Sequence, residues 1–193
     1  DRLVADVEAH TMAGLIFSSH PFEFQNTPVL ADDGIPRVAI MAGQVYDYVA
    51  AITFRGAPYL STLARLAARQ NRRRIGMVLP LETGRSDRYL NEWHDDMAAC
   101  GLQTRARWVQ GVSLHANRLT RNCLELLFGG PARERPDALY IADDNLVEPV
   151  TAALAQLDLR VPEDLLVIGH GNQPVLPTAA CDMHYVCYDC REM

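Results

Sequence analysis

The sequence lacks the features that would place it in a membrane or in direct contact with nucleic acid. Its 193 residues include no apolar run near the roughly 20 residues that a transmembrane helix requires. Residues 1–10 have neither the basic nor the apolar region of a signal peptide. The formal net charge is −6, so the chain as a whole offers no positive footprint for a phosphate backbone. We therefore expect a globular, cytoplasmic protein that does not bind a membrane.

Signatures of catalysis and of bound cofactors are also missing. The sequence has no G-x-S-x-G motif, and the segment Gly84–Asp87 is too short for a phosphate-binding loop. The five cysteines, an odd number without a disulfide framework, are typical of a reducing compartment. Cys187 and Cys190 form a CxxC, which is either a redox or zinc pair or two ordinary thiols. No second clean ligand pair accompanies them, which favours ordinary thiols, and we expect no cofactor and no metal.

The chain does contain short apolar runs that alternate with helical periodicity. Six runs are continuous rather than alternating, which is typical of parallel strands covered by helices on both faces. They span residues 13–19, 36–43, 73–80, 106–110, 137–143 and 164–170. Apolar residues between the runs recur at three- and four-residue steps; two such stripes are Leu60, Leu63, Ala64 and Ala67, then Leu119, Cys123, Leu126 and Leu127. The pattern predicts an α/β protein with ligands beyond the carboxyl ends of its strands.

Residues 136–172 carry the most specific motif. A strand ends in Ala142-Asp143-Asp144, a helical stretch follows, and Val161-Pro162-Glu163-Asp164 leads into Val167-Ile168-Gly169-His170. This order and spacing resemble the effector-binding domain of LacI/GalR-type transcription regulators. Further segments that resemble the family are AHTMAGLIFSS, IPRVAIMAG, AARQNRRRIGMV, RYLNEWHDDMAACGL and HYVCYDCREM. The resemblance therefore covers nearly the whole chain.

The resemblance implies a periplasmic-binding-protein-like type I fold. In that fold two parallel-sheet α/β lobes hold a small molecule, commonly a sugar, in the cleft between them. It implies an N-terminal lobe at residues 1–72, a C-terminal lobe at 73–183, and a crossover strand region at 184–193 that returns to the N-terminal lobe. Neither end of the sequence resembles a domain boundary, so we expect truncation at the N-terminus and at the C-terminus. The resemblance also implies a homodimer that binds DNA through a helix-turn-helix headpiece absent from these residues.

The resemblance also indicates which residues contact the effector, although several differ from the family pattern. Asp143 stands where the family commonly has Asn, and His170-Gly171-Asn172 replaces the usual acid. The family arginine aligns with Tyr89, and Arg88 precedes it, so that either residue could reach the ligand. Ser18 is added because it ends a predicted strand, and Phe54 and Trp108 are added as aromatic side chains that could stack on a ligand. The predicted ligand-binding residues are therefore Ser18, Phe54, Arg88, Tyr89, Trp108, Asp143, His170 and Asn172.

Three functions stay open on the sequence alone. The first is a sensor in which a sugar or related polar effector controls transcription. The second is a periplasmic solute-binding protein of an ABC transporter, and the third is an α/β enzyme that uses Asp143 and His170. The role of Asp143 is equally open, since an acid before a helix either contacts a ligand or caps the helix. The cluster Arg72–Arg74 is interpreted as cations at the end of a helix.

Overall fold

Short parallel strands alternate with helices along the chain, as the apolar runs predict. The computed structural model describes residues 2–18, 21, 24–31, 34–40, 46, 48–52, 59–81, 87–115, 118–157, 159–189 and 191, without the side chains of Asp87 and Arg88. The chain divides into two units, Asp1–Gly56 and Ala57–Met193. In the described part of the chain, no helix has the length and apolar character needed to cross a membrane.

The first unit is a small parallel sheet with one helix. Its elements are α1 (Arg2–Glu8), β1 (Leu15–Phe17), β2 (Arg37–Ile40) and β3 (Ala50–Ile52), and the strand order is β1-β2-β3. Arg37 is buried in this unit, where its Nε donates to Val29 O at 2.6 Å and its Nη1 donates to Ile35 O at 2.7 Å. A charged group is tolerated in such a place because its donors are satisfied.

The second unit is built on a five-stranded parallel sheet. The strands are β4 (Ile75–Pro80), β5 (Val109–Val112), β6 (Ala138–Ile141), β7 (Leu166–Gln173) and β8 (His184–Asp189), in the order β5-β4-β6-β7-β8. All four neighbouring pairs are parallel. Strands β4 and β6 are buried at every position, which explains why their sequences are continuous apolar runs.

Four helices cover the two faces of this sheet. They are α2 (Tyr59–Arg69), α3 (Asp87–Ala99), α4 (Arg118–Phe128) and α5 (Val147–Leu154). Helices α2 and α3 pack on one face, where Trp93 and Met97 are fully buried, and α4 and α5 pack on the other, where Leu124 and Val150 are fully buried. Each such side chain contributes about 1.5–3 kcal/mol through removal of apolar surface from water. Two helices therefore cover each face of the sheet.

The buried stripe of α4 differs from the one predicted. The structure buries Thr120, Leu124, Leu127 and Phe128. Leu119 and Leu126 are 46% and 81% exposed, so the prediction that they are buried is wrong. The residues of α4 include apolar side chains on more than one face, and periodicity alone could not select the face that meets the sheet.

The lobe boundaries at residues 72 and 183 stay a prediction, and the contacts of the chain place α2 and β8 in the same unit. Helix α2 lies in the second unit because its apolar stripe packs into the core around β4 and β6. Strand β8 lies there too, since it pairs with β7 along its whole length, from His184 to Asp189. Residues 190, 192 and 193 lie outside the described part of the chain.

Candidate ligand-binding site

Polar side chains collect at the carboxyl edge of the five-stranded sheet. The last pairing of β6 joins Ile141 to Gly169, and β7 continues beyond that pair. The longer strand carries His170 and Asn172 past the end of β6, beside the turn that starts at Asp143. Parallel α/β sheets bind their ligands at this edge.

Asp143 caps the short 3-10 helix Asp144–Leu146. Its Oδ1 accepts hydrogen bonds from Asn145 N and from Asn145 Nδ2, both at 2.9 Å. An N-cap side chain satisfies N–H groups that the first turn leaves without partners. Asp143 Oδ2 accepts no hydrogen bond from the residues that the structure describes. One carboxylate oxygen therefore holds the turn, and the other is available to a ligand.

Asp144 joins the turn to β7. Its Oδ2 accepts a hydrogen bond from Asn172 Nδ2 at 2.8 Å, and its Oδ1 accepts one from Asn145 Nδ2 at 3.2 Å. Asn172 is half-buried, so this charge-assisted bond is partly protected from water. The bond holds the predicted ligand residue Asn172 in a defined position next to Asp143.

His170 lies beneath the N-terminus of α2. Its Nδ1 is 2.7 Å from the hydroxyl oxygen of Tyr59, the first residue of α2, and that hydroxyl donates to Val186 O at 2.8 Å. A tyrosine hydroxyl has one proton, so both contacts are hydrogen bonds only if Nδ1 of His170 carries a proton and donates to Tyr59. Nε2 of the neutral ring is then an acceptor.

The charge of His170 is set by opposing effects. Burial lowers the pKa of the imidazole below its ordinary value of 6.5. The carboxylates of Asp144 and Asp143 and a hydrogen bond with Asn172 act in the opposite direction and raise the pKa. Burial is the larger effect, so the neutral ring is favoured at neutral pH.

Four tyrosines lie on the face of the sheet covered by α2 and α3, and we name Tyr59, Tyr89, Tyr140 and Tyr188 the tyrosine cluster; two of them, Tyr59 and Tyr188, contact His170. The rings of Tyr59 and Tyr188 stack with centroids 5.3 Å apart, and Tyr188 meets His170 edge to face at 5.5 Å. Burial raises the pKa of all four hydroxyls, that of Tyr89 to about 12. The cluster is therefore uncharged at neutral pH and offers aromatic faces with hydroxyl groups.

The tyrosine cluster was only partly predicted from the sequence. Tyr89, in the first turn of α3, is among the predicted residues. Its hydroxyl lies 3.9 Å from Sδ of Met77 in β4. Tyr59, Tyr140 and Tyr188 were not predicted. The alternation of side chains along β6 and β8 could have placed Tyr140 and Tyr188 on this face of the sheet, because alternate residues of a strand share a face.

Three of the other predicted residues stay predictions as ligand contacts. Ser18 belongs to the first unit, where it is exposed at the end of β1. Phe54 lies outside the described residues. Arg88 lies in the first turn of α3, and its side chain is outside the described atoms.

Trp108 lies at the opposite edge of the sheet from the one predicted. Strand β5 starts at Val109, so Trp108 stands at its amino end rather than its carboxyl end. The indole is only 1% exposed, packs in the core beneath α4 and α5, and donates from Nε1 to Glu134 O at 3.1 Å. Trp108 is therefore a core residue at the amino end of β5.

The cysteines near the carboxyl end show no sign of activation. Burial raises the pKa of the Cys187 thiol, and burial followed by the charge of Asp182 raises that of Cys181. A raised pKa disfavours the nucleophilic thiolate. Cys190, the other member of the CxxC, lies outside the described residues. Within the described ranges, no group of three or more His, Cys, Asp or Glu side chains could hold a metal ion.

A family match accompanies this geometry. Residues 64–193, more than half of the chain, match the sequence profile of the periplasmic binding protein-like domain. No curated protein matches the chain in a sequence search.

Solved structures share the fold at low sequence identity. A LacI family transcriptional regulator from Lactobacillus casei with bound glucose is 20% identical, with a TM-score of 0.72 over 95% of this chain and 70% of that one. The structure of the L. casei regulator with bound sucrose is 20% identical, with a TM-score of 0.71 over 95% and 68%. A LacI family regulator from Mycobacterium smegmatis is 21% identical, with a TM-score of 0.69 over 88% and 62%. The chain thus spans between 62% and 70% of the length of these neighbours.

Proposed function

We propose that this chain, which belongs to the periplasmic binding protein-like domain family, is the effector-sensing domain of a LacI/GalR-like transcription regulator. The resemblance indicated by the motifs of residues 136–172 is confirmed at the level of family and fold. The family and fold support a role as a ligand-sensing regulatory domain. We further propose that its effector is a small polar molecule of the sugar type, bound at the carboxyl edge of the five-stranded sheet.

The observation that carries this proposal is the arrangement around Asp143. The oxygen Oδ2 is available while Oδ1 holds the turn, and Asn172 and His170 stand beside it on β7. Carboxylates, amides and neutral imidazoles form paired hydrogen bonds with hydroxyl groups, and tyrosine faces cover the apolar side of a ring. The glucose and sucrose in the L. casei neighbour support the same ligand chemistry here.

The proposed regulation is a population shift. An effector that binds one conformation of the domain better than another changes the population of the two, and this change alters DNA binding by a headpiece outside residues 1–193. We propose that the regulator acts as a homodimer, as such families do when they bind paired half-sites. Ser18, Phe54 and Arg88 stay predictions as further ligand contacts.

Thermal-shift screening against sugars, polyols, nucleosides and organic acids tests the ligand proposal. A ligand at 100 times its Kd stabilises the folded state by about 2.7 kcal/mol. For a chain of this size that is an increase in Tm of about 5–10 °C. We expect a stabilising compound among the sugars and polyols, and none among simple salts of the same ionic strength.

The variant Asp143→Asn separates ligand contact from capping. An asparagine oxygen can still accept the hydrogen bonds of Asn145, so the turn is kept while the charge is lost. We expect the affinity to fall by about tenfold to a hundredfold, as for loss of a hydrogen bond to a charged group. Asp95→Asn is the matched control, since Asp95 is exposed on α3. Equal affinity in both variants, or no stabilising compound in the panel, would contradict the proposal.

A further inference from the structure

The amino edge of the five-stranded sheet carries an unusual concentration of arginine. We name as the arginine edge the segments that lead into four neighbouring strands, which are residues 72–74, 103–108, 131–137 and 160–165. They hold eight of the eighteen basic residues, all of which are arginine, and four carboxylates. The other ten arginines share the rest of the chain with twenty carboxylates. A chain with a net charge of −6 therefore has one edge with a formal charge of +4.

Four arginines of this edge pair with its carboxylates, and two others bind backbone carbonyls; the ion-paired residues are Arg74, Arg107, Arg133 and Arg160. Arg72 donates from Nη2 to Pro162 O at 2.5 Å and from Nη1 to Glu163 O at 3.1 Å, which joins the segment before β4 to the segment before β7. Arg135 binds Gly130 O in the same manner. A carbonyl bond orients a guanidinium group without neutralising its charge. The charge of Arg72 also acts on the nearby carboxylate of Asp164.

Two further arginines are both exposed and unpaired. Arg73 and Arg105 have no carboxylate within 4.0 Å among the residues that the structure describes, and Arg105 lies over the ring of Trp108 at 4.9 Å. By contrast, Arg160 and Asp164 form a close pair at 2.6 Å. Arg73 precedes β4 and Arg105 precedes β5, and these strands are neighbours in the sheet. The two unpaired cations thus stand on adjoining segments.

The dimensions of the edge indicate which anion fits. Adjacent strands lie about 4.8 Å apart, so the entries to β5, β4, β6 and β7 extend over about 14 Å. A single phosphate cannot contact guanidinium groups over that width, whereas a linear chain of phosphates can. A long nucleic acid would also meet the acidic remainder of the chain and be repelled by it. The charge pattern therefore favours a compact oligoanion.

We propose that the arginine edge binds an oligophosphate chain, either free or carried by a nucleotide. Guanidinium groups suit this ligand because their planar donors match phosphate oxygens in bidentate pairs. The proposal concerns the opposite edge of the sheet from the effector site and does not depend on it.

Calorimetric titration of the full chain with sodium tripolyphosphate and with ATP tests the proposal. We expect saturable binding of tripolyphosphate, weaker binding of orthophosphate, and affinity that falls steeply as salt is raised. Arg73→Gln with Arg105→Gln should weaken binding by about tenfold, since each removes one exposed charge contact. Arg65→Gln with Arg118→Gln is the matched control, because both residues are exposed or half-exposed and lie outside the arginine edge.

Each result decides for or against the proposal. Similar affinities for tripolyphosphate and ATP support recognition of a free phosphate chain, and tighter binding of ATP supports a nucleotide as its carrier. Equal weakening by the control pair, or equal binding of duplex DNA or polyglutamate, would show general attraction of anions and overturn it. No heat of binding to either phosphate compound at low salt would also overturn it. Urea unfolding of both double variants shows that the fold is retained.

Discussion

The substitution Tyr59→Phe removes one hydroxyl from the centre of the tyrosine cluster and keeps the ring. The phenylalanine can still stack on Tyr188, so the aromatic contact at 5.3 Å is preserved. What is lost is the hydrogen bond to Val186 O at 2.8 Å and the contact with His170 Nδ1 at 2.7 Å. Two half-buried polar groups are then left without their partner.

The size of the effect follows from those two groups. A neutral hydrogen bond contributes about 0.5–1.5 kcal/mol, and a buried group left unsatisfied costs about 1–3 kcal/mol. Since Val186 and His170 are half-buried, water can replace part of what is lost. We expect the free energy of unfolding to fall by about 1–3 kcal/mol, which lowers the Tm by about 2–12 °C for a chain of this size.

Urea unfolding followed by tryptophan fluorescence measures this loss where it occurs. Both tryptophans, Trp93 and Trp108, belong to the second unit, so their emission reports the unit that contains Tyr59. Tyr185→Phe, which removes a single hydrogen bond to Pro177 O, should have a smaller effect, and Tyr48→Phe should have almost none because Tyr48 is 54% exposed. A loss below about 0.5 kcal/mol for Tyr59→Phe, or one equal to that of Tyr48→Phe, would show that the Tyr59 hydroxyl does not stabilise the fold.

Two further predictions concern pH and the packing of α4. Burial lowers the pKa of His170 against the opposing charges of Asp144 and Asp143, so the folded protein binds this proton less readily than the unfolded chain. The contribution of neutral His170 to the free energy of unfolding is therefore complete above about pH 6.5, and it is lost as the pH falls through the lowered pKa. Urea midpoints for wild type and His170→Asn should converge toward acid pH, and parallel curves would exclude the effect. In α4, Leu124→Ala should cost about 2–5 kcal/mol and Leu126→Ala less than about 0.5 kcal/mol, and equal losses would contradict the assigned stripe.

The sheet of the second unit could be predicted because its strands are covered on both faces. Burial on two sides requires apolar residues, and the central parts of three predicted runs, residues 75–80, 138–141 and 166–169, are apolar and buried at every position. Strand β3 is different. Its three residues, Ala-Ala-Ile, are apolar but exposed, so the burial on two faces that explains the other strands does not apply to it.

The site was predicted less completely than the sheet because its residues come from distant segments. Asp143 and Asn172 could be selected as candidates, since the motif of residues 136–172 aligns both of them near the carboxyl ends of β6 and β7. Tyr59 could not, because its role depends on where the N-terminus of α2 meets β7 and β8. Trp108 was misplaced because the predicted strand at 106–110 started too early, and a shift of three residues moved its ring from one end of β5 to the other.

The arginines of residues 72–74 have more than one role in the structure. Helix α2 ends at Arg69, Asn71 takes a left-handed φ of 58°, and Arg72 N donates to Ala67 O at 3.0 Å, so Arg72 lies in the C-terminal cap of α2. Arg72 also joins two strand entries through carbonyl bonds, which is a structural role. Neither role applies to Arg73 or Arg105, whose guanidinium groups have no carboxylate partner among the described residues. The affinity of that pair of side chains for oligophosphate therefore decides whether the arginine edge is only a scaffold or also a binding surface.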